Sequence, residues 1–341
     1  MINISSLAVE YRPKTFEEVC GENSIIKILK RQIELKEFKN SYLFCGPSGC
    51  GKTTTARIFA NEINNHVGSP IEIDAASNNG VDNIKTIIKA AQERSIDSEY
   101  KIYIIDECHS LTIQAWQALL KCIEEPPKYT IFIFCTTDPQ KIPATILNRC
   151  MRFNFSRINS KDIEKRLNQI CIKEGFSNYH ETTEYISKIC KGQMRDGIAY
   201  LEKVAAYDKI LSITNALQAL GNFSYDVFFK LINHVIDGNE SEVLVIINQF
   251  YTEGGDLKLF VDQFLTFCLD VMKYSLLHDS SILQIPSSFE PQLKASTNFD
   301  NADKYYSYII DNVLALKNEL KMDSNIKSTI EIKFLKLARC V

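Results

Sequence analysis

Apolar and polar positions follow two rhythms along this chain, and the change between them falls near Arg157. Before it, short apolar runs alternate with stretches of helical spacing. Ser41-Tyr-Leu-Phe-Cys45 is an apolar run that stops at Gly46, and Thr53–Asn64 reads as a helix. Ile71–Asp74 reads as a short strand. Across Val81–Glu93, Val81, Ile84, Ile87, Ile88 and Ala91 fall on one helical side. Lys101–Asp106 is a buried strand that ends in acid, Ile113–Ile123 is a helix stopped by Pro126-Pro127, and Tyr129–Cys135 is another apolar strand. Strands alternating with helices predict a parallel sheet covered by helices on both faces, an α/β architecture.

Beyond Arg157 the spacing is helical throughout. Ser160 is the expected N-cap of a helix whose inner face carries Ile163, Leu167 and Ile170. Helices are expected over 182–190, 194–206 and 214–220, broken at Gly192 and ended by Gly221. Further ones follow over 227–236, 240–251, 257–277, 302–322 and 327–340, with Pro286 and Pro291 marking a loop. No internal repeat or low-complexity tract interrupts the pattern.

Composition narrows the class. The chain has 341 residues, 45% hydrophobic and 24% charged, which suits two or three globular domains. Its formal net charge of −3 supplies no global basic field, so any DNA contact must come from a local patch. The opening MINISSLAVEYRPK lacks the basic start and apolar run of a signal peptide, and no apolar run is long enough to span a bilayer. A cytoplasmic protein without a membrane partner is expected. None of the 11 cysteines forms a Cys-x-x-Cys pair. Cys45, Cys135, Cys190 and Cys268 sit among apolar neighbours, which points to buried free thiols in a reducing compartment rather than a zinc site.

The chemistry concentrates after the first strand. Gly46-Pro47-Ser48-Gly49-Cys50-Gly51-Lys52-Thr53 matches the phosphate-loop pattern in full and lies between a strand and a helix. Glycines let backbone N–H groups approach phosphates, and the helix N-terminus adds its positive dipole end. Lys52 is placed to reach the outer phosphates and Thr53 to ligate Mg²⁺, with Thr54 beside them as a further nucleotide contact. The partner is Asp106-Glu107-Cys108-His109, where a buried strand delivers Asp106 to the Mg²⁺ and Glu107 is the candidate base for the attacking water. His109 either transmits the state of DNA or nucleotide or caps the next helix.

These residues, with further motifs in order, resemble one family. Tyr11-Arg12-Pro13-Lys14-Thr15-Phe16 with Val19 and Gly21, then Glu72-Ile-Asp-Ala-Ala-Ser-Asn-Asn-Gly80-Val-Asp82, resemble clamp-loader ATPases. So do Ala118-Leu-Leu-Lys121, Glu124-Glu-Pro-Pro127, Thr136-Thr-Asp-Pro-Gln-Lys-Ile-Pro143 and Ile146-Leu-Asn-Arg149-Cys150. Together they are similar to the gamma/tau type of bacterial DNA polymerase III clamp-loader subunit. The match is dense to about Arg157, continues through Gly192-Gln-Met-Arg195-Asp196, and is looser beyond Gly221.

The resemblance implies an AAA+ core over 1–157, a small helical lid over 158–222 and an all-α collar over 223–341. It implies ATP and Mg²⁺ as ligands and ATP hydrolysis coupled to loading a ring clamp on primer–template DNA. Thr137 takes the first sensor position and Arg195 the second. Tyr11, Arg12, Pro13 and Val19 lie near adenine and ribose. Arg149 is the arginine finger that reaches a neighbouring subunit's ATP, supplying charge where the transition state spreads it. Lys85, Lys121 and Thr145 fall at DNA phosphate contacts, which fix position without reading sequence. Delta- and delta-prime-type subunits, the sliding clamp and a pentameric ring or spiral complete the implied assembly.

Three departures qualify it. Asn148 replaces the serine before the finger. Asn61–Pro70 contains no cysteine where relatives carry a four-cysteine zinc module, so no zinc is expected. The sequence stops at Val341 without a proline-rich or charged tail. The expectation is a short, gamma-like form of the kind a bacteriophage or mobile element encodes, working in a bacterial or phage-infected cytoplasm. Two other readings stand beside it. One is a related oligomeric ATPase that remodels nucleoprotein in recombination or defence, against which Glu72–Ser77 and Glu124–Pro127 argue. The other is a non-catalytic stator-like subunit, against which the intact Lys52, Thr53, Asp106 and Glu107 argue.

Overall fold

A computed structural model describes residues 6–252 and 254–339. The sequence expectations on Met1–Ser5, and on a last helix reaching Cys340, extend outside the described residues.

The first half forms α1 (Leu7–Glu10), α2 (Asn23–Leu35), β1 (Ser41–Cys45), α3 (Lys52–Ile63), β2 (Ile71–Asp74), α4 (Val81–Ala91), β3 (Lys101–Asp106), α5 (Ile113–Glu124), β4 (Thr130–Thr136), α6 (Ala144–Leu147) and β5 (Met151–Asn154). The five strands are all parallel in the order β2-β3-β4-β1-β5. Register aligns Asp74 with Asp106, and Cys45 with both Thr136 and Asn154, so the carboxyl ends of all five strands meet at one edge. Loops leaving that edge carry most of the residues with chemistry, as open α/β sheets favour.

Strands β1 and β4 are buried along their whole length. That is why they read as unbroken apolar runs rather than alternating ones. Alternation persists in three dimensions, because successive side chains serve opposite faces. Tyr42, Phe44, Ile102, Ile104, Ile131 and Ile133 pack with Leu29 of α2 and Phe59 of α3. Leu43, Tyr103, Ile105, Phe132 and Phe134 pack with Ile84, Trp116 and Ile146 of α4, α5 and α6. The predicted parallel sheet with helices on both faces is therefore present, and the pattern of two cores explains it.

Several local expectations are corrected. The apolar pattern does not predict helix α2 or strand β5. Ser160 is not the N-cap but the first helical residue of α7 (Ser160–Glu174). Asn159 caps it: its Oδ1 accepts the Lys161 N–H at 2.9 Å and its carbonyl accepts from Ile163 at 3.1 Å. Helix α4 stops at Ala91, before Glu93, closing on i,i+3 bonds from Gln92 and Glu93 N–H to the Lys89 and Ala90 carbonyls, and side chains from outside also bond its last carbonyls. Lys101 Nζ donates to the Ala90 carbonyl at 2.6 Å and Thr130 Oγ1 to that of Ala91 at 2.8 Å.

The later chain forms α8 (His180–Ile189), α9 (Met194–Tyr207), α10 (Ile213–Leu220), α11 (Tyr225–Ile236), α12 (Glu240–Thr252), α13 (Leu257–Leu277), α14 (Glu290–Thr297), α15 (Ala302–Glu319) and α16 (Ile326–Arg339). Helix α14 corrects the expectation of a loop. Pro291 lies in its first turn, where a missing N–H costs nothing. One continuous core of Phe228, Phe260, Phe264, Phe267, Tyr306 and Phe334 with their aliphatic neighbours joins α11 through α16.

Contacts divide the chain into two units. One runs up to Leu167 and includes Cys190–Ala199; the other comprises Asn168–Ile189 and the residues from Tyr200 onward. The segment expected as a separate lid, 158–222, thus contributes residues to both.

Candidate nucleotide-binding site

The first unit holds the phosphate-loop residues at the carboxyl edge of the sheet. The loop leaves β1 under tight backbone control. Gly46 N–H donates to the Thr136 carbonyl at 3.1 Å, and Phe155 N–H to that of Cys45 at 2.6 Å. A Cβ on Gly46 would lie 2.4 Å from the Phe155 carbonyl oxygen, so this glycine is required by the neighbouring backbone as well as by any phosphate. Gly51 has a different reason: it enters α3 at φ +99°, a conformation L-residues resist, while a Cβ there would meet only the Thr55 hydroxyl at 4.0 Å, an ordinary contact. Cys50 is buried, its thiol donating to the Pro47 carbonyl at 3.0 Å, and burial pushes that thiol's pKa up. The Gly49 carbonyl accepts the Met194 N–H at 3.1 Å, joining the loop to the start of α9.

Lys52 is 5% exposed, an unusual burial for lysine. Its ammonium donates to the carbonyls of Gly46 at 2.9 Å and Pro47 at 2.8 Å. The charge is thereby held inside the loop, over the first turn of α3, where backbone N–H groups and the helix dipole favour an anion.

At the end of β3, the Thr53 hydroxyl donates to Asp106 Oδ2 at 2.8 Å, while Asp106 Oδ1 accepts the Glu107 N–H at 3.0 Å. The hydroxyl and carboxylate are hard oxygen donors side by side, the donor set that magnesium takes. Glu107 adopts φ +47°, a left-handed conformation uncommon outside glycine and found where structure over-determines it. Its Oε2 accepts the Thr137 hydroxyl at 3.1 Å and lies 3.3 Å from His109 Nδ1. His109 Nδ1 is also 3.1 Å from Thr136 Oγ1. The capping alternative for His109 is excluded, because Thr112 caps α5 by accepting the Ala115 N–H at 3.2 Å.

A cleft runs from these acids to the N-terminal segment. Ser48, Gly49, Cys50, Gly51, Lys52, Thr53 and Thr54 line its base, with Asp106 and Glu107 at one end. Tyr11, Arg12, Pro13 and Val19 form a wall, and Arg195 at the start of α9 closes another. Gly46 and Pro47 do not line it; they stand behind and hold Lys52. Thr137 reaches it through Glu107. Arg149, Lys85, Lys121 and Thr145 are not among the lining residues. Lys85 on α4, Lys121 on α5 and Thr145 on α6 are all exposed, and Lys85 Nζ is 3.8 Å from Asp82.

Sequence reasoning missed Cys20, Ile158, Arg166, Met194 and Ile198, which also line the cleft. Arg166 lies on α7 and donates to the Tyr11 carbonyl at 3.1 Å, so it fastens the wall and adds a third arginine to Arg12 and Arg195. No local motif surrounds Arg166; only the fold brings it in. The arrangement suits a polyanion along the cleft, an apolar group between Val19 and Ile158, and a metal-bound water beside Glu107.

Comparison with known proteins places the chain. Residues 65–159 match the family model described as DNA polymerase III, delta subunit. The chain is 37% identical over 286 residues to the DNA polymerase III subunit tau of Bacillus subtilis, an alignment covering 77% of this chain and 51% of that one. It is 31% identical over 276 residues to the DNA polymerase III subunit gamma of Buchnera aphidicola, covering 74% of this chain and 76% of that protein. The chain belongs to the DNA polymerase III gamma/tau family. As a gamma/tau member it spans about half the length of the longer curated relatives it matches. Thermotoga maritima RuvB, a Holliday junction branch migration motor, superposes with a TM-score of 0.54 at 20% identity, over 66% of this chain and 79% of RuvB. That likeness concerns fold, and the gamma/tau chain has the AAA+ fold with a helical C-terminal region.

Among the described residues, no helix is long and apolar enough to cross a membrane. Nor does any group of three or more His, Cys, Asp or Glu among them form a metal site.

Proposed function

We propose that this chain is the ATP-hydrolysing motor subunit of a sliding-clamp loader in DNA replication. The observation that carries the reading is the convergence of Lys52, Thr53, Asp106, Glu107 and Thr137 at one strand edge. Membership of the gamma/tau family supports it, and the intact set argues against a stator-like role. In this reading Lys52 leaves its carbonyls for the β- and γ-phosphates, and Arg195 closes over the triphosphate from α9. Tyr11, Arg12, Pro13 and Val19 border the adenine and ribose. Thr53 and Asp106 hold the Mg²⁺. The bound ion supplies Lewis-acid neutralisation of charge on the phosphate oxygens. Glu107 orients the attacking water and takes its proton, while the Thr137 hydroxyl fixes the carboxylate.

Arg149 serves a neighbouring chain, which agrees with its absence from its own cleft. Each hydrolytic site is then shared across a subunit boundary, in a ring or spiral with delta- and delta-prime-type subunits. Lys85, Lys121 and Thr145 lie on the packed series α4, α5 and α6 and contact DNA phosphates. Their contribution is independent of sequence and falls with salt.

The test is ATPase rate with and without clamp and primed DNA, alone and with companion subunits. Clamp and primed DNA should stimulate the assembled complex, and Lys52→Ala should abolish ATP-dependent loading. Undiminished loading by Lys52→Ala would sink the proposal.

A further inference from the structure

We propose that Glu124 is the positioning residue for Arg149, holding its guanidinium in the orientation that completes a neighbouring chain's site. This rests on the shared-site reading above. Arg149 Nη2 lies 2.7 Å from Glu124 Oε1, and Nη1 donates to the Thr145 carbonyl at 2.7 Å. Both ends of the guanidinium fork are pinned, by acceptors from two different helices. The side chains stay 41% and 40% exposed, so the group is held but not hidden.

Each half of the holder is anchored in the core. Glu124 is the last residue of α5 and follows Ile123, which is buried. Thr145 precedes Ile146, buried in the same cluster. Arg149's own backbone is fixed too, its N–H donating to the Ile146 carbonyl at 3.0 Å. A long arginine on a free surface samples many rotamers, and exposed ion pairs generally add little stability. The value of this pair therefore lies in geometry. A guanidinium has five N–H donors, and the two contacts occupy only two of them. The remaining donors, including Nε–H, stay available to phosphoryl oxygens, so Glu124 orients Arg149 without consuming it. The hold also bears on Asn148, since the guanidinium's direction comes from Glu124 and the Thr145 carbonyl and not from the residue before it.

The test uses the full chain at concentrations where its specific ATPase activity rises with concentration, the mark of a site made by two chains. Glu124→Ala should lower kcat on the order of ten- to a hundredfold, the scale of a misplaced catalytic group. KM and nucleotide affinity should stay unchanged, because the chain's own cleft is intact. Glu124→Gln keeps the shape and an acceptor and should recover part of the loss. Its melting temperature should match the parent's, which guards against a folding artefact. Mixing equal amounts of Glu124→Ala and Lys52→Ala chains should restore activity. Half the sites carry Lys52 and half of those face an intact holder, giving about a quarter of the parent rate across such heterologous contacts.

If Arg149→Ala is inactive and rescued by Lys52→Ala chains while both Glu124 variants match or exceed the parent, Glu124 has no positioning role and the shared site stands. If Arg149→Ala is as active as the parent, or is not rescued by mixing, or specific activity is flat with concentration, the shared site itself fails.

Discussion

Replacing Gly46 with alanine separates two reasons for glycine in the phosphate loop. The new Cβ would sit 2.4 Å from the Phe155 carbonyl oxygen and 2.8 Å from its Cβ, both inside the 3.0 Å that real Cβ atoms keep. The obstacle is backbone and cannot rotate away. Phe155 is tied to Cys45 and Gly46 to Thr136, so relief means loosening one of those bonds. Overpacking of this kind costs about 1–3 kcal/mol. A weakened buried backbone bond adds about 1 kcal/mol, and the positive φ adds about 1 kcal/mol more. The expected loss is about 3–5 kcal/mol, a large part of a domain's usual stability. Gly51→Ala meets only an ordinary contact, the Thr55 hydroxyl at 4.0 Å, and should cost only the conformational term, about 1–2 kcal/mol. Urea melts of both variants, read as midpoint and slope, measure the difference. A loss below about 1 kcal/mol for Gly46→Ala, or equal losses for the two, would refute the steric argument.

Glu107→Gln should bind ATP like the parent yet hydrolyse it at least about a hundredfold more slowly in the assembled complex, measured by nucleotide titration and phosphate release; equal rates would remove Glu107 as the base. Asn159→Ala should destabilise the first unit by about 1 kcal/mol through loss of the α7 cap, and Ser160→Ala should be near neutral, which thermal melts would distinguish. Alkaline pH should weaken the fold. Burial raises the thiols of Cys108, Cys135 and Cys268 well above the usual value and those of Cys150 and Cys171 to about 12. The unfolded chain ionises near the ordinary thiol pKa while the folded one stays neutral. Stability is therefore intact below that pKa and falls as pH rises above it, by about 1.4 kcal/mol per pH unit for each such thiol. Melting temperature under reductant should drop between about pH 8 and 10, and a flat profile would contradict the burial of these thiols.

The sheet was legible because burial on both faces left β1, β3 and β4 as plain apolar runs bounded by Gly46 and Asp106. Helix α2 was not, since its N-cap is Glu22 in a left-handed conformation, with no side-chain cap to announce it. Strand β5 hides because Arg152 and Asn154 are exposed on an edge of only four residues. Lys52, Thr53, Asp106 and Glu107 could be read from spacing, as contiguous motifs carry them. Thr137, Arg149 and Arg195 came only through resemblance, Glu124 stood in a resembling motif without a role, and Arg166 came through neither. The Arg166 contact and the pairing of Glu124 with Arg149 depend on which helices the fold sets side by side, and no local pattern encodes that.

The Lys52 ammonium resting on two loop carbonyls has one more consequence. Any anion entering the loop must outcompete two short, charge-assisted bonds before it gains the lysine. In the function proposed above, a triphosphate meets that demand by accepting bonds from N–H groups along the whole loop at once. On that reading the resting lysine is a latch, and its two carbonyl bonds are exchanged for bonds to phosphate.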